Sequence, residues 1–243
     1  MGRSLSHAVD LVYPPSCLAC PEPTETPMGL CGSCWREVHF LAGPVCDLCG
    51  VVVPTARGAT ERILCERCTA APPGWHQGRA AVAYEGVGQR VVMGLKNRDR
   101  LDALPALARW MTGAGAAILR DDMIIVPVPI PWRRRLARRY NQAAELGRAV
   151  SQRTELPFAP ELLRTTGPRP LQKGKNAAQR IANVQGAFAV PPMARASVEG
   201  KSILLIDDVM TTGATLGAAT EVLTQAGASQ VCVLVLARVV LDE

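Results

Sequence analysis

Four copies of one spacing, C-x-x-C, fall within the first 70 residues: Cys17/Cys20, Cys31/Cys34, Cys46/Cys49 and Cys65/Cys68. A C-x-x-C turn brings two thiolates close enough to share one tetrahedral Zn²⁺, and two such turns close a Cys₄ site. Four turns predict two zinc sites, each filled by cysteine with no position open for catalysis, so their role is structural. Pairing neighbouring turns leaves ten residues between Cys20 and Cys31 and fifteen between Cys49 and Cys65. Each stretch is long enough for the hairpin of a zinc ribbon, and interleaved pairing is also compatible with the spacing. Disulfides and an iron–sulfur cluster are the competing readings. The start Met1-Gly2-Arg3-Ser4-Leu5-Ser6-His7 carries no apolar leader, which points to a reducing, cytoplasmic setting and hence to metal. No pair is followed by His, which excludes covalent c-type haem. A segment of this size, rich in Pro, Gly and short loops, cannot bury a large core, so the metal is expected to supply much of its folding free energy.

After Ala71-Pro72-Pro73-Gly74 the pattern changes, and the boundary is placed at residue 74: a double zinc ribbon over 1–74, then a second domain over 75–243. With 48% apolar residues in 243, the chain can bury a sizeable core, which excludes wholesale disorder. Short apolar runs at 80–84, 124–128, 203–206 and 231–236 read as buried strands. Helical spacing occupies 101–119, 141–150 and 214–226, the last stopped by Gly227. Strands alternating with helices predict the α/β class, a mainly parallel sheet flanked by helices, in which ligands sit beyond the carboxyl ends of the strands. Cys232 lies inside an apolar run and reads as a buried core thiol. His7, His39 and His76 fit no ligand spacing. No run approaches the roughly 18 apolar residues of a membrane span.

The segment 203–216, I-L-L-I-D-D-V-M-T-T-G-A-T-L, joins four apolar residues, two adjacent carboxylates and a small-residue turn that opens a helix. A strand ending in Asp207 and Asp208 would hold two anionic groups at the sheet edge, able to bind vicinal hydroxyls or approach a hydrated Mg²⁺. The turn Thr211-Thr212-Gly213-Ala214-Thr215 would aim N–H groups and hydroxyls at a phosphate, aided by the positive helix end. One ligand carrying a sugar diol and a phosphate satisfies both. A response-regulator receiver would need most of its domain after Asp208. A Walker B strand would need a P-loop, and the nearest candidate, 167–176, has the wrong glycine spacing and Asn where Ser or Thr belongs. No G-x-G-x-x-G follows a predicted strand.

In these residues the chain resembles the type I phosphoribosyltransferases, whose motif is an apolar strand, two acidic residues and T-T-G-x-T. The resemblance implies that family's fold and the binding of phosphoribosyl pyrophosphate with Mg²⁺. It implies that the catalytic-site carboxylates Asp207 and Asp208 contact the ribose hydroxyls and that Thr211, Thr212, Gly213, Ala214 and Thr215 cradle the 5′-phosphate. After the strand at 124–128, Val128 and Pro129 lead through Trp132, Arg133, Arg134 and Arg135 to R-x-x-N-Q-A, which ends Arg138-Arg139-Tyr140-Asn141-Gln142-Ala143. This stretch resembles the pyrophosphate-loop region of ComF-type phosphoribosyltransferases and implies phosphate contacts from Val128, Pro129, Arg133 and Arg139. Leu95-Lys96 after a short helix, and the residues from Arg169 to Phe188 with their N-V-x-G-A-F element, also fit that family. Lys173-Gly174-Lys175 is more basic than its pattern. The double zinc ribbon ahead of such a domain extends the resemblance over nearly the whole chain.

Lys and Arg number 27 against 21 Asp and Glu, a net +6, and the excess is local. Five Arg and no acidic residue fall between 123 and 144, and six basic residues and no acidic one between 162 and 198. A solvated basic face is the plainest account. The sharper accounts are a pocket for one highly charged pyrophosphate or a track for single-stranded nucleic acid extended by the ribbons, although 4% aromatics provides few stacking platforms. The resemblance implies DNA uptake in competence, with single-stranded DNA and uptake proteins as partners. Three functions follow: a phosphoribosyltransferase, for which the sequence offers neither a general base nor an acceptor-selecting residue, a non-catalytic phosphoribosyl-pyrophosphate sensor that binds single-stranded DNA, or a zinc-ribbon adaptor.

Overall fold

The computed structural model describes residues 15–24, 28–54, 62–97, 100–130, 140–167 and 186–240. Two short helices, α1 (Gly32–Glu37) and α2 (Glu66–Ala70), each start directly after a cysteine. They are followed by β1 (Gln77–Ala83), α3 (Gly86–Asn97), α4 (Leu104–Gly115), β2 (Met123–Pro127), α5 (Gln142–Thr154), β3 (Arg164–Thr165) and β4 (Phe188–Ala189). The chain closes with α6 (Arg195–Val198), β5 (Ser202–Met210), α7 (Ala214–Gln225) and β6 (Gln230–Arg238).

Four strands form one parallel sheet in the order β1-β6-β5-β2, while β3 and β4 make a small antiparallel pair. The apolar runs are continuous because the two central strands are covered on both faces. On one face Leu204, Ile206, Cys232 and Leu234 pack with Leu107 and Met111 of α4 and Leu146 of α5; on the other Ile203, Leu205, Val233 and Val235 pack with Leu216, Ala219 and Leu223 of α7. The two cysteine sets divide between the same faces. Cys17 and Cys34 join the first cluster beside Val91 and Leu95 of α3, whereas Cys46, Cys49, Cys65 and Cys68 join the second with Leu48 and Trp75.

Both sheet edges are capped, which hides the unpaired N–H and C=O rows that invite association. Ribbon residues cover β1, with Leu41 donating to the Ala81 carbonyl at 3.0 Å and Ala83 donating to that of His39 at 2.9 Å. Along β2, the Ile125 N–H reaches the Pro157 carbonyl at 2.8 Å. The structure extends β5 beyond the expected end at Asp207-Asp208 to Met210, because β6 keeps pairing with it as far as Arg238. Lys96 lies inside α3, not after it. The helix expected over 101–119 is a 3₁₀ turn followed by α4, and α5 runs past residue 150 to a left-handed cap at Glu155.

Ribbon and sheet backbones approach closely at Gly78 of β1. A Cβ there would collide with the Leu48 carbonyl oxygen and lie 2.8 Å from Val233 Cγ2. Neither backbone can yield without breaking the Gly78 N–H bond to the Asp47 carbonyl, 2.8 Å long. Gly78→Ala is therefore expected to cost about 1–3 kcal/mol, read as an earlier denaturant midpoint with the slope unchanged. A midpoint equal to the parent's would show that the two backbones are not in contact.

Candidate functional site

The eight paired cysteines gather into two sets, Cys17, Cys20, Cys31, Cys34 and Cys46, Cys49, Cys65, Cys68, with the ligand atoms of each set within 4.8 Å of one another. Neighbouring turns pair, and the interleaved arrangement is not adopted. Sulfur separations are 3.6 Å for Cys20–Cys31 and Cys20–Cys34 and 3.7 Å for Cys49–Cys65. Four sulfurs at about 2.3 Å from a tetrahedral Zn²⁺ stand about 3.8 Å apart, so the donor sets fit the ion, and all eight thiols are unbridged. N–H donors turn toward the sulfurs of the first set: Ala19 and Cys31 reach Cys17 Sγ at 3.4 and 3.3 Å, and Arg90 of α3 lies 3.9 Å from Cys34 Sγ. Such donors offset the negative charge of a Cys₄ centre. Burial pushes the Cys34 and Cys68 thiols up to about 12, while the Cys49 thiol, hydrogen-bonded to Cys46, pulls Cys46 down to about 4. Cysteine binds a divalent cation as thiolate, so metal binding displaces the thiol protons of each set.

Asp207 and Asp208 lie three and two residues before the carboxyl end of β5. Lys96 of α3 reaches across to Asp208, Nζ to Oδ2 2.8 Å, with both side chains largely buried. Asp207 accepts the Asp208 N–H at 2.8 Å. Burial, with the Asp208 charge adding to it, pushes the Asp207 carboxyl up to about 8. The two carboxyl groups therefore stand in different electrostatic settings: Asp208 is ion-paired with Lys96, while burial and the neighbouring charge raise the proton affinity of Asp207.

Met210 closes the strand and Thr211-Thr212-Gly213 turns into α7. Gly213 takes the left-handed conformation (φ 81°, ψ 0°) at the helix start, and a Cβ there would stand 2.8 Å from the Trp75 ring. Only glycine satisfies both conditions. The carbonyls on either side of the turn's first peptide are held from outside: Arg238 Nη1 donates to Thr211 at 3.0 Å and Arg67 Nη2 to Thr212 at 2.7 Å. Beyond β2, Val128 is buried and donates to the Ile206 carbonyl at 2.8 Å, and Pro129 is half-buried. Asn141 caps α5, accepting from Ala143 at 3.1 Å and donating to the Val128 carbonyl at 3.0 Å, so it ties the loop after β2 to the helix.

The structure therefore places Asp207, Asp208 and Thr211 through Thr215 at one strand end, with Val128 and Pro129 just past the end of the neighbouring strand β2. Arg133 and Arg139 lie outside the described residues, as do Trp132, Arg134, Arg135, Arg138 and the stretch 168–185. Sequence reasoning missed Arg67, Trp75 and Arg238, and it gave Lys96 no partner. A charge closing the apolar run of β6 was the available sign for Arg238. Nothing in a C-x-x-C turn marks Arg67.

A double zinc ribbon domain model matches residues 8–71, and a phosphoribosyl transferase domain model matches residues 143–240. Among curated proteins, the chain is 28% identical over 240 residues to "DNA utilization protein YhgH" of Escherichia coli O157:H7, covering 94% of this chain and 99% of the relative. It is 25% identical over 215 residues to "Competence protein F" of Haemophilus influenzae, covering 86% and 90% respectively. It is 25% identical over 209 residues to "Competence protein ComFC" of Bacillus subtilis, covering 82% and 79%. Among the described residues, no helix is long and apolar enough to cross a membrane.

Proposed function

We propose, starting from a chain that joins a double zinc ribbon to a phosphoribosyltransferase domain and is homologous to competence protein F, that it binds phosphoribosyl pyrophosphate with Mg²⁺ and acts in DNA uptake. The ribbon covers 1–74 and the binding domain 75–243, in the cytoplasm. The observation that carries the reading is the juxtaposition at the end of β5. Two carboxyl groups, one paired with Lys96 and one whose proton affinity burial raises, stand a few residues from a glycine turn that opens α7. Asp207 and Asp208 suit the ribose diol, which needs both donors and acceptors. Thr211 through Thr215 suit the 5′-phosphate at a helix start. Val128, Pro129, Arg133 and Arg139 serve the pyrophosphate. Mg²⁺, when bound with the ligand, supplies charge compensation to the pyrophosphate. Two Cys₄ zinc ions hold the ribbon.

If transfer occurs, the residues at the strand end orient the ribose while a nitrogen nucleophile displaces pyrophosphate from the anomeric carbon. Calorimetric titration of the full chain with phosphoribosyl pyrophosphate and Mg²⁺ is expected to give saturable one-to-one binding. No heat at millimolar ligand would remove the reading. Pyrophosphate release is then followed with candidate bases, and single-stranded DNA binding across a salt series. Turnover establishes a transferase. Salt-sensitive DNA binding with no turnover for any base establishes a phosphoribosyl-pyrophosphate sensor of the transformation machinery.

A further inference from the structure

The turn after β5 is held from the second cysteine set as well as from the sheet. Arg67 is the third residue of the turn Cys65-Glu66-Arg67-Cys68, and its guanidinium donates to the Thr212 carbonyl at 2.7 Å. The other turn of the same set, Cys46-Asp47-Leu48-Cys49, reaches the loop through Trp75. The indole donates to the Leu48 carbonyl at 2.5 Å, and its ring lies under Gly213, 2.8 Å from where a Cβ would stand. From the sheet side, Arg238, 5% exposed, donates to the Thr211 carbonyl at 3.0 Å.

These contacts fix more than position. The chain has no cis peptide among its described residues, and in a trans peptide the N–H points away from the carbonyl it shares a plane with. Holding the Thr211 carbonyl therefore sets the Thr212 N–H on the opposite side, and holding the Thr212 carbonyl does the same for Gly213. Among the described residues neither N–H has an acceptor. Two adjacent, outward-turned N–H groups before a helix form an anion cradle, and donors fixed in advance bind without the cost of reorienting them.

We infer that Arg67 and Arg238 are positioning residues that hold two carbonyls back so that the N–H groups of Thr212 and Gly213 face a phosphate, Arg67 anchored by the second zinc site and Arg238 by the sheet. The inference rests on the phosphate-binding reading above and names what makes the loop competent. The ribbon then has a task at the ligand site, beyond holding itself together.

The test uses the zinc-loaded full chain with Arg67→Leu, Arg67→Gln and Arg67→Lys. Arg67→Leu is expected to keep two zinc ions and exchange its 211–215 amides at least tenfold faster. It should also bind phosphoribosyl pyrophosphate with Mg²⁺ about tenfold more weakly, and Arg67→Lys should recover part of both losses. A purely packing role would not produce that recovery. If Arg67→Leu loses metal, Arg67→Gln, polar but too short to reach Thr212, decides in its place. Parental exchange rates in a zinc-replete variant overturn the inference. Faster exchange in the variant, alongside a parent chain that binds no ligand, upholds the positioning role and defeats the ligand assignment instead.

Discussion

Cys49→Ser is expected to abolish cooperative folding of the whole chain at neutral pH. The sulfur it removes belongs to a set whose four cysteines are all buried and share a cluster with Leu48, Trp75, Val233 and Val235 of the main sheet. A structural zinc contributes about 10–16 kcal/mol where it has been isolated in peptides, and an entire domain is stable by about 5–15 kcal/mol. Losing the metal from within the core therefore removes a free energy as large as the total. Cys20→Ser in the first set should be milder, because Cys20 and Cys31 are only half-buried and that set meets the sheet domain chiefly along α3. It should lower the melting temperature and leave near-ultraviolet circular dichroism. Thermal melts with zinc quantification separate the two. A Cys49→Ser protein that melts within a few degrees of the parent would show that the second site is ornamental to the sheet.

Asp207→Asn is expected to weaken phosphoribosyl pyrophosphate binding by about 10–100-fold, the value of one or two hydrogen bonds to a charged or strongly polar partner, while making the ligand-free protein more stable above pH 6. The sign follows from proton counts. The carboxyl has its usual value of 3.8 in the unfolded chain and is pushed up to about 8 in the native one, so between these values the native state binds more protons. Stability falls as pH rises through that window, by up to ~1.4 kcal/mol per pH unit. Below pH 3.8 both states hold the proton, and above about 8 the loss is complete. Asparagine removes the dependence. Denaturant unfolding from pH 4 to 9 should show the parent losing stability across the window relative to the variant. Equal slopes would mean that Asp207 is ionised in the native protein. Better stability together with poorer binding is the expected mark of a binding residue placed for function at the expense of the fold.

Much of this was legible before any coordinates. Each strand in the main sheet coincides with an apolar run, because strands buried on both faces have no polar alternation to obscure. The eight cysteines announced two metal sites by spacing. Their pairing was not readable, since four identical turns fit either scheme until the chain path brings neighbours together. The site divided in the same way. Asp207, Asp208 and the turn from Thr211 to Thr215 lie consecutively and were visible as a motif. Tertiary folding brings Lys96 to Asp208 from 112 residues away, Trp75 to Gly213 from 138, Arg67 to Thr212 from 145 and Arg238 to Thr211 from 27. No local pattern records such meetings. The length of β5 was underestimated because polar residues entering a strand read as its end, whereas backbone pairing with β6 decides where it stops.

The strand order carries a consequence for how the protein is made. β1 emerges early in synthesis, yet its neighbour in the sheet is β6, the last described strand. During the interval a nascent β1 has its open edge paired by the stretch around His39 and Leu41, with Asp47 and Leu48 beside its start. A metal-loaded N-terminal segment would then serve as a chaperone in cis, guarding an unfinished edge until translation delivers its permanent companion.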